Sequence, residues 1–255
     1  MSQNGHLAPY GAAPGTAIVV GTFTLPKGAW FPTHRHPVHQ LAWSRSGLLA
    51  VRTAAGAWLL PPSMALWIPA RLPHATGAMG TVDMRSPYLD PLRCPDAWTE
   101  PTVVSVGPLL SALIDHLHRE DLTARARERA ESVVFDVLDP LPVTSVSVTE
   151  PRDPRARAVA RALAGDPRDG RGLEAWGSEV GASARTLARL FTAETGLTFG
   201  QWRERLRMQA SMPLLAGELP IEAVARRVGY GSASSFVAAF HRIVGLTPRQ
   251  YFPMP

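Results

Sequence analysis

Two arginines, Arg185 and Arg189, have the type and spacing that most directly suggest chemistry in this 255-residue chain. They are four positions apart, so on an α-helix they lie on one face, opposite the apolar positions of the same segment. A guanidinium offers two parallel N–H donors that match the two acceptors on the edge of a guanine base. The pair therefore predicts a helix that reads nucleic acid, and Ser183 and Thr186 lie beside it.

A second polar set follows on a later segment with the same pattern. It consists of Ser232, Ser234 and Ser235, with His241 and Arg242 further along. Because this set has fewer cations, we expect it to contribute position and phosphate affinity more than base choice.

Both sets belong to one unit that occurs twice. The matched segments are 173–175 with 221–223, 180–181 with 228–229 at an offset of 48, and 196–198 with 245–247 at an offset of 49. Each copy has a short helix ended by a glycine, Gly181 or Gly229, and a second helix capped by Ser183 or Ser232. This is the helix-turn-helix pattern, whose second helix enters the major groove by its N-terminal end.

Residues 153–253 resemble the DNA-binding domain of AraC/XylS-type regulators. The resemblance rests on segments 173–196, 199–203 and 228–251. It implies a sequence-specific transcriptional regulator that binds a double-stranded DNA operator, and that contacts RNA polymerase if it is an activator. It also implies that residues 199–216 form one helix that holds the two recognition helices about one DNA turn apart. Pro213 departs from this pattern, because a proline inside a helix removes a backbone hydrogen bond and should kink it.

The charge distribution is consistent with this assignment. Residues 151–255 contain 15 Lys and Arg against 9 Asp and Glu, whereas residues 1–150 contain 11 against 12. The basic excess is thus confined to the predicted DNA-binding half. Lys27 is the one lysine among the 26 basic residues, so a bias towards arginine codons is the alternative explanation.

Composition limits the remaining classes. Hydrophobic residues make up 45% and charged residues 18%, which is typical of globular proteins. No apolar run reaches the roughly 18 residues of a membrane span. Residues 1–17 lack a basic cluster followed by an apolar block, so we expect no secretory signal and a cytoplasmic protein. The single cysteine, Cys94, allows neither an intrachain disulfide nor a thiolate metal site.

The N-terminal part has short apolar runs separated by Gly and Pro, which is typical of a small barrel or sandwich. The predicted strands are residues 17–23, 40–43, 48–52, 57–60 and 65–68. Residues 28–47 have the spacing of the first cupin motif, G-x5-H-x-H-x3-Q-x6-G, with Gln40 where Glu is usual. Residues 69–74 resemble the second motif. Residues 16–90 therefore look like a cupin barrel, the sensor domain that many of these regulators carry.

The cupin resemblance brings three histidines together. Residues two apart on a strand point the same way, so His34 and His36 converge, and His74 from a neighbouring strand closes a face of three nitrogens. Two occupants fit this face: a divalent metal with Gln40 as a neutral fourth ligand, or a small-molecule effector without metal. The same cluster supports an alternative function, a metal-dependent cupin enzyme with an accessory helical domain.

Residues near the motif are expected at the surface, in the pocket or in the hydrophobic core. His39 points away from Gln40, so we expect it on the surface. Trp43, Trp58 and Trp67 fit either the pocket or, more simply, the hydrophobic core.

The middle of the chain has helical periodicity. Two apolar stripes, at residues 109–117 and 133–138, fit either a homodimer contact or packing on the barrel. The proline-rich linker, residues 139–154, contains a β-branched run, 143–149, that suggests one strand. We therefore predict an α+β protein with a cupin-like sensor domain at 1–100, a helical linker at 101–150 and an all-α DNA-binding domain with two helix-turn-helix units at 151–255.

Overall fold

The computed structural model describes residues 16–94, 98–217 and 219–252. Most of the segment on which the secretory-signal interpretation depends, residues 1–15, lies outside them. The chain forms two compact units, Met1–Val143 and Thr144–Pro255. Across the described ranges, no helix is both long and apolar enough to cross a membrane.

The first unit is mostly β-structure. Its strands are β1 (Ile18–Leu25), β2 (Trp30–His34), β3 (His39–Ala42), β4 (Ser44–Ser46), β5 (Leu49–Thr53), β6 (Gly56–Leu60), β7 (Met64–Ile68), β8 (His74–Ala78), β9 (Val82–Leu89) and β10 (Thr102–Ser105). They form two antiparallel sheets, with orders β1-β9-β3-β7-β10, where β4 pairs with β9, and β2-β8-β5-β6. The predicted cupin-like domain is thus confirmed as a two-sheet structure.

The five strands predicted from apolar runs correspond to β1, β3, β5, β6 and β7. The others escaped prediction for a physical reason that β2 and β8 illustrate. These two strands pair with each other and carry one proline, two threonines and two histidines where an apolar run is expected. Polar side chains face into this domain, so apolar periodicity could not find them.

The helices α1 (Pro108–Leu117) and α2 (Ala124–Asp136) pack on the first sheet. Their apolar stripes share one core with that sheet, formed by Leu41, Trp43, Trp67, Leu110, Ile114, Leu117, Ala130 and Val134 among others. Of the two alternatives for these stripes, the structure therefore shows packing on the β-domain. Trp43 and Trp67 are core residues, and Trp58 is also buried, at 6% exposed.

A buried carboxylate joins α2 to the first strand. Glu131 is 2% exposed, and its two oxygens accept hydrogen bonds of 3.0–3.1 Å from the backbone N–H groups of Ala17 and Ile18. These donors stand at the start of β1, which lies at an edge of its sheet. Glu131 therefore anchors the beginning of β1 to the helical layer.

We expect Glu131→Ala to lower the free energy of unfolding of the first unit by about 3 kcal/mol, because it leaves two buried N–H donors without an acceptor. Urea unfolding followed by tryptophan fluorescence measures this change. Glu128→Ala, one turn earlier and exposed, is the matched control and should change stability by less than about 0.5 kcal/mol. Equal losses for the two variants would contradict the anchoring role.

The second unit is helical. Its elements are α3 (Pro154–Gly165), α4 (Leu173–Val180), α5 (Ala184–Thr195), α6 (Phe199–Ala216), α7 (Ile221–Arg227), α8 (Ala233–Val244) and α9 (Pro248–Tyr251). The first half of this unit runs from α3 to the start of α6. Its core is formed by Trp176, Leu187, Phe191 and Trp202, together with residues of α3. Phe236, Phe240 and Tyr251 form a chain of edge-to-face aromatic contacts in the second half.

The long helix α6 connects the two halves. It contacts α3 and α5 in the first half and α7 and α8 in the second. Pro213 lies inside α6 without ending it, and the helix continues for three more residues. The single connecting helix implied by the family resemblance is therefore present.

The linker does not contain the strand predicted for residues 143–149, and that prediction is wrong. The β-branched residues do favour an extended chain, but no strand among the described residues pairs with this segment. The segment bonds to helix residues instead. Thr144 N donates to Val244 O at 2.9 Å, and Trp202 Nε1 donates to Thr149 O at 2.9 Å. Residues 144–149 are thus an integral part of the helical unit.

Candidate nucleic-acid interface and histidine cluster

The first helix-turn-helix consists of α4 and α5. Gly181 ends α4 in the left-handed conformation, with φ +66°, which glycine adopts without strain. Ser183 caps α5, and its Oγ accepts a hydrogen bond of 3.1 Å from Thr186 N. Both features agree with the sequence prediction, because helix ends are set by local backbone chemistry.

The outer face of α5 carries the two arginines. Arg185 and Arg189 are exposed, whereas Leu187 and Phe191 on the opposite face are completely buried. Within the described residues neither guanidinium is held by an ion pair. Thr186 is half-buried beside them, and its Oγ1 lies 2.8 Å from Ser183 Oγ. The face presents two cations that are available to a polyanion.

The second helix-turn-helix consists of α7 and α8. Ser232 caps α8 by accepting a hydrogen bond of 3.2 Å from Ser235 N, and Ser235 Oγ donates back to Ser232 O at 2.9 Å. Ser234 is exposed, with its Oγ 3.0 Å from Ser232 Oγ. The three serines thus form a small polar surface at the N-terminal end of α8.

The two remaining polar residues of α8 differ in environment. His241 is exposed. Arg242 Nη2 donates to Glu204 Oε1 at 3.0 Å, which joins α8 to α6. About 60% of the Arg242 side chain remains exposed, so this ion pair is weak.

In the first unit, the three histidines of the cupin motif meet between the two sheets. The ring centroids of His34, His36 and His74 are 4.4–6.0 Å apart, and one ligand nitrogen of each lies within 4.8 Å of the others. His36 and His74 are buried and His34 is half-buried. The structure therefore brings together the three residues that the motif singled out.

Backbone carbonyls orient all three rings. The Nδ1 atoms of His34, His36 and His74 donate to Pro32 O, Val38 O and Leu72 O at 2.8, 2.8 and 2.9 Å. A carbonyl only accepts, so each Nδ1 carries its proton and a neutral ring keeps its lone pair on Nε2. Burial lowers the pKa of His74 to about 4, with a smaller contribution from the two other histidines. His74 is therefore neutral at neutral pH.

Gln40 extends the cluster into a polar interior. Its Oε1 lies 3.0 Å from His36 Nε2, and Gln40 Nε2 donates to Ser86 Oγ at 3.1 Å and to Tyr88 Oη at 3.4 Å. Sequence reasoning missed Ser86 and Tyr88. Their two-residue spacing on β9 was the available signal, but it requires knowing that β9 pairs with β3.

Two buried polar atoms near the histidines stand out. Thr76 Oγ1 and His74 Nε2 have no hydrogen-bond partner among the described residues. Both residues are 1% exposed and lie two apart on β8, so they point the same way. Because leaving buried polar atoms unpaired costs free energy, this interior is suited to a bound group that supplies partners for these two atoms.

The surface position expected for His39 is wrong. It is 9% exposed, its ring stacks on Trp67 with centroids 4.8 Å apart, and Nδ1 accepts a hydrogen bond of 3.0 Å from Ala70 N. The residue does face away from Gln40, but α1 and α2 cover that face of the sheet. Burial lowers the pKa of His39.

The helical unit is similar to the DNA-binding part of known transcriptional regulators. A family profile described as a helix-turn-helix domain matches residues 176–253, which include both units except for the first three residues of α4. The HTH-type transcriptional regulator NimR of Escherichia coli (strain K12) is 29% identical over 226 residues, or 86% of this chain and 81% of NimR. These similarities support an AraC/XylS-type transcriptional regulator. A putative AraC-like transcription regulator of Streptomyces antibioticus is 33% identical over 106 residues, 40% of this chain and 35% of that protein.

The similarity to transcriptional regulators is not confined to the helical unit. The HTH-type transcriptional regulator RipA of Corynebacterium glutamicum is 30% identical over 219 residues, which are 83% of this chain and 61% of RipA. The match thus reaches into the β-domain. It indicates a regulator rather than an enzyme with an accessory helical domain, because the relatives that match both units are named as transcriptional regulators.

Proposed function

We propose that this regulator binds an operator through α5 and α8 placed in successive major grooves. The observation that carries the proposal is the pair of equivalent, serine-capped helices joined by the single helix α6. The local excess of basic residues supports it, since residues 151–255 contain 15 Lys and Arg but 9 Asp and Glu.

The two helices have different proposed roles. Arg185 and Arg189 read base edges, and Ser183 and Thr186 contact phosphates near the N-terminal end of α5. On α8, the hydroxyls of Ser232, Ser234 and Ser235 contact the groove wall. His241 and Arg242 add phosphate affinity from the C-terminal half of α8. We therefore propose that α5 carries most of the sequence preference.

Selection from a random-sequence duplex library with the full-length protein tests this proposal. We expect enrichment of a site with two conserved blocks whose centres are about 10 base pairs apart, one for each recognition helix. The block contacted by α5 should be the better conserved and should contain guanine. A duplex with a scrambled sequence of equal composition is the control. Failure to enrich any site would overturn the proposed function.

For the β-domain we propose a small-molecule effector site that includes a divalent metal. The chemistry of the donor set supports the metal. Nδ1 of His34, His36 and His74 is held by a carbonyl, and one ring nitrogen of each lies within 4.8 Å of the others. Gln40 would supply a neutral oxygen as a fourth ligand. The ion would supply a positive charge that recognises an oxygen atom of the effector. Elemental analysis of purified protein measures whether a metal is retained.

The regulatory consequence follows from linkage. An effector alters DNA binding only if it binds one arrangement of the protein more tightly than another. We propose a homodimer as the functional form, because Leu109 on α1 and Val133 on α2 remain 55% and 37% exposed. RNA polymerase is the proposed further partner if the protein is an activator, and the cytoplasm is its proposed location because its target is DNA.

A further inference from the structure

We propose that Arg207 is a positioning residue that fixes the distance between the two recognition helices, and with it the spacing of half-sites that the protein accepts. The inference rests on the proposed function, because it concerns the geometry with which α5 and α8 meet DNA. It assigns to Arg207 a contribution to specificity without contact to a base.

Arg207 holds the first helix-turn-helix half by two hydrogen bonds. It projects from α6 towards the loop between α3 and α4, where its Nε donates to Pro167 O at 2.9 Å and its Nη2 donates to Asp169 O at 3.4 Å. Both acceptors are backbone carbonyls, so the contact depends on the course of the loop rather than on its side chains. The guanidinium thus fixes this loop to the connecting helix.

The same guanidinium lies against the turn of the second half. Its Cζ is 5.6 Å from the ring centroid of Tyr230. A Cβ on Gly229 would lie 2.8 Å from Arg207 Nη2 and 2.9 Å from Arg168 Cα, and Gly229 has φ +84°. The turn between α7 and α8 is therefore packed directly on Arg207 and on the loop of the first half. One side chain thus contacts both the loop that leads into the first helix-turn-helix and the turn of the second.

The position of this contact in α6 explains why it matters. Pro213 follows Arg207 by six residues and has no N–H, so α6 lacks one of its internal hydrogen bonds between Arg207 and α7. A helix weakened there bends more easily. A second connection between the halves, formed before the proline, restrains that bending and keeps α5 and α8 at one separation.

The chemistry requires arginine. Two carbonyls and a ring are reached by separate parts of one planar guanidinium, and a lysine ammonium cannot occupy all these positions together. The group is half-buried, and this burial lowers its pKa, with a smaller effect from Arg203. Arg207 nevertheless stays charged at neutral pH, because an arginine side chain does not deprotonate in proteins.

The test uses full-length protein, the operator recovered by selection, and the same operator with one base pair inserted between the half-sites. One inserted pair rotates and shifts a half-site, so it should weaken wild-type binding by about tenfold or more. For Arg207→Lys we expect this penalty to fall to about threefold or less, while affinity for an isolated α5 half-site stays within about twofold. Gly229→Ala, which pushes against the same guanidinium, should relax the spacing in the same way.

Arg205→Lys is the matched control, since it makes the same exchange two residues away on α6 and should keep the wild-type penalty. Thermal unfolding shows whether each variant is folded. If Arg207→Lys is not folded, the spacing penalty of Gly229→Ala provides the test. A folded variant that keeps the wild-type spacing penalty would overturn the inference. So would a folded variant that loses affinity equally for the half-site and for the full site. A wild-type protein that enriches no site would overturn the proposed function itself, and this inference with it.

Discussion

Replacing Arg185 by alanine is expected to weaken binding to the selected operator by about 5- to 150-fold, the equivalent of 1 to 3 kcal/mol for one bidentate arginine–guanine contact. The reason is geometric. Arg185 lies in the first turn of α5, next to the capping Ser183, and is exposed with no ion pair among the described residues. The N-terminal end of a recognition helix is the part that reaches base edges. Fluorescence anisotropy titration at fixed salt measures the change.

Arg185→Lys separates base reading from charge. It keeps the positive charge and loses the paired donors, so it should retain affinity for scrambled duplex while losing most of the preference for the operator. The base preference of Arg185→Ala should also relax at one position of the site and nowhere else. If Arg185→Ala instead weakened operator and scrambled duplex equally, Arg185 would be a phosphate contact and base reading would have to come from Arg189.

Removing one histidine of the cluster is the second change with a large expected effect. We expect His74→Ala to lower the affinity for Ni²⁺ or Zn²⁺ by on the order of 100-fold or more, because it removes one of three converging nitrogen donors. Isothermal titration of metal-free protein measures the affinity. The wild-type protein should also gain about 2.7 kcal/mol of stability when free metal is 100 times its dissociation constant.

His118→Ala is the matched control, because His118 is exposed at the end of α1 and lies outside the histidine cluster. It removes an imidazole without touching the site and should leave metal binding unchanged. Saturable binding that survives His74→Ala would show that the ion is held elsewhere. A wild-type protein that takes up no metal would leave the polar interior around Gln40 and Thr76 as a site for an organic effector alone.

The sequence by itself determined the parts of this protein that depend on short-range chemistry. The two helix-turn-helix units were readable because helix caps are local: Ser183 and Ser232 bond to backbone three residues away, and Gly181 adopts a positive φ that other residues avoid. The apolar faces of α5 and α8 follow from the helical period. Recognition of the family needed no more than these features and the repeat.

The same is true of part of the histidine cluster. His34 and His36 are two residues apart, and their motif placed them with His74 without knowledge of the pairing between β2 and β8. Their Nδ1 bonds are also local, since each acceptor is two residues from its histidine. Geometry that depends only on residues a few positions apart can be predicted from the sequence.

Only the tertiary structure decided which distant segments meet. The contacts of Glu131 with the start of β1, of Gln40 with Ser86 and Tyr88, and of Arg207 with two separate loops each join residues at least 22 positions apart. No local pattern specifies such partners, because they depend on strand order and on how helices pack. His39 shows the same limit: its face of the strand was predictable, but its burial depended on two helices that arrive more than 60 residues later.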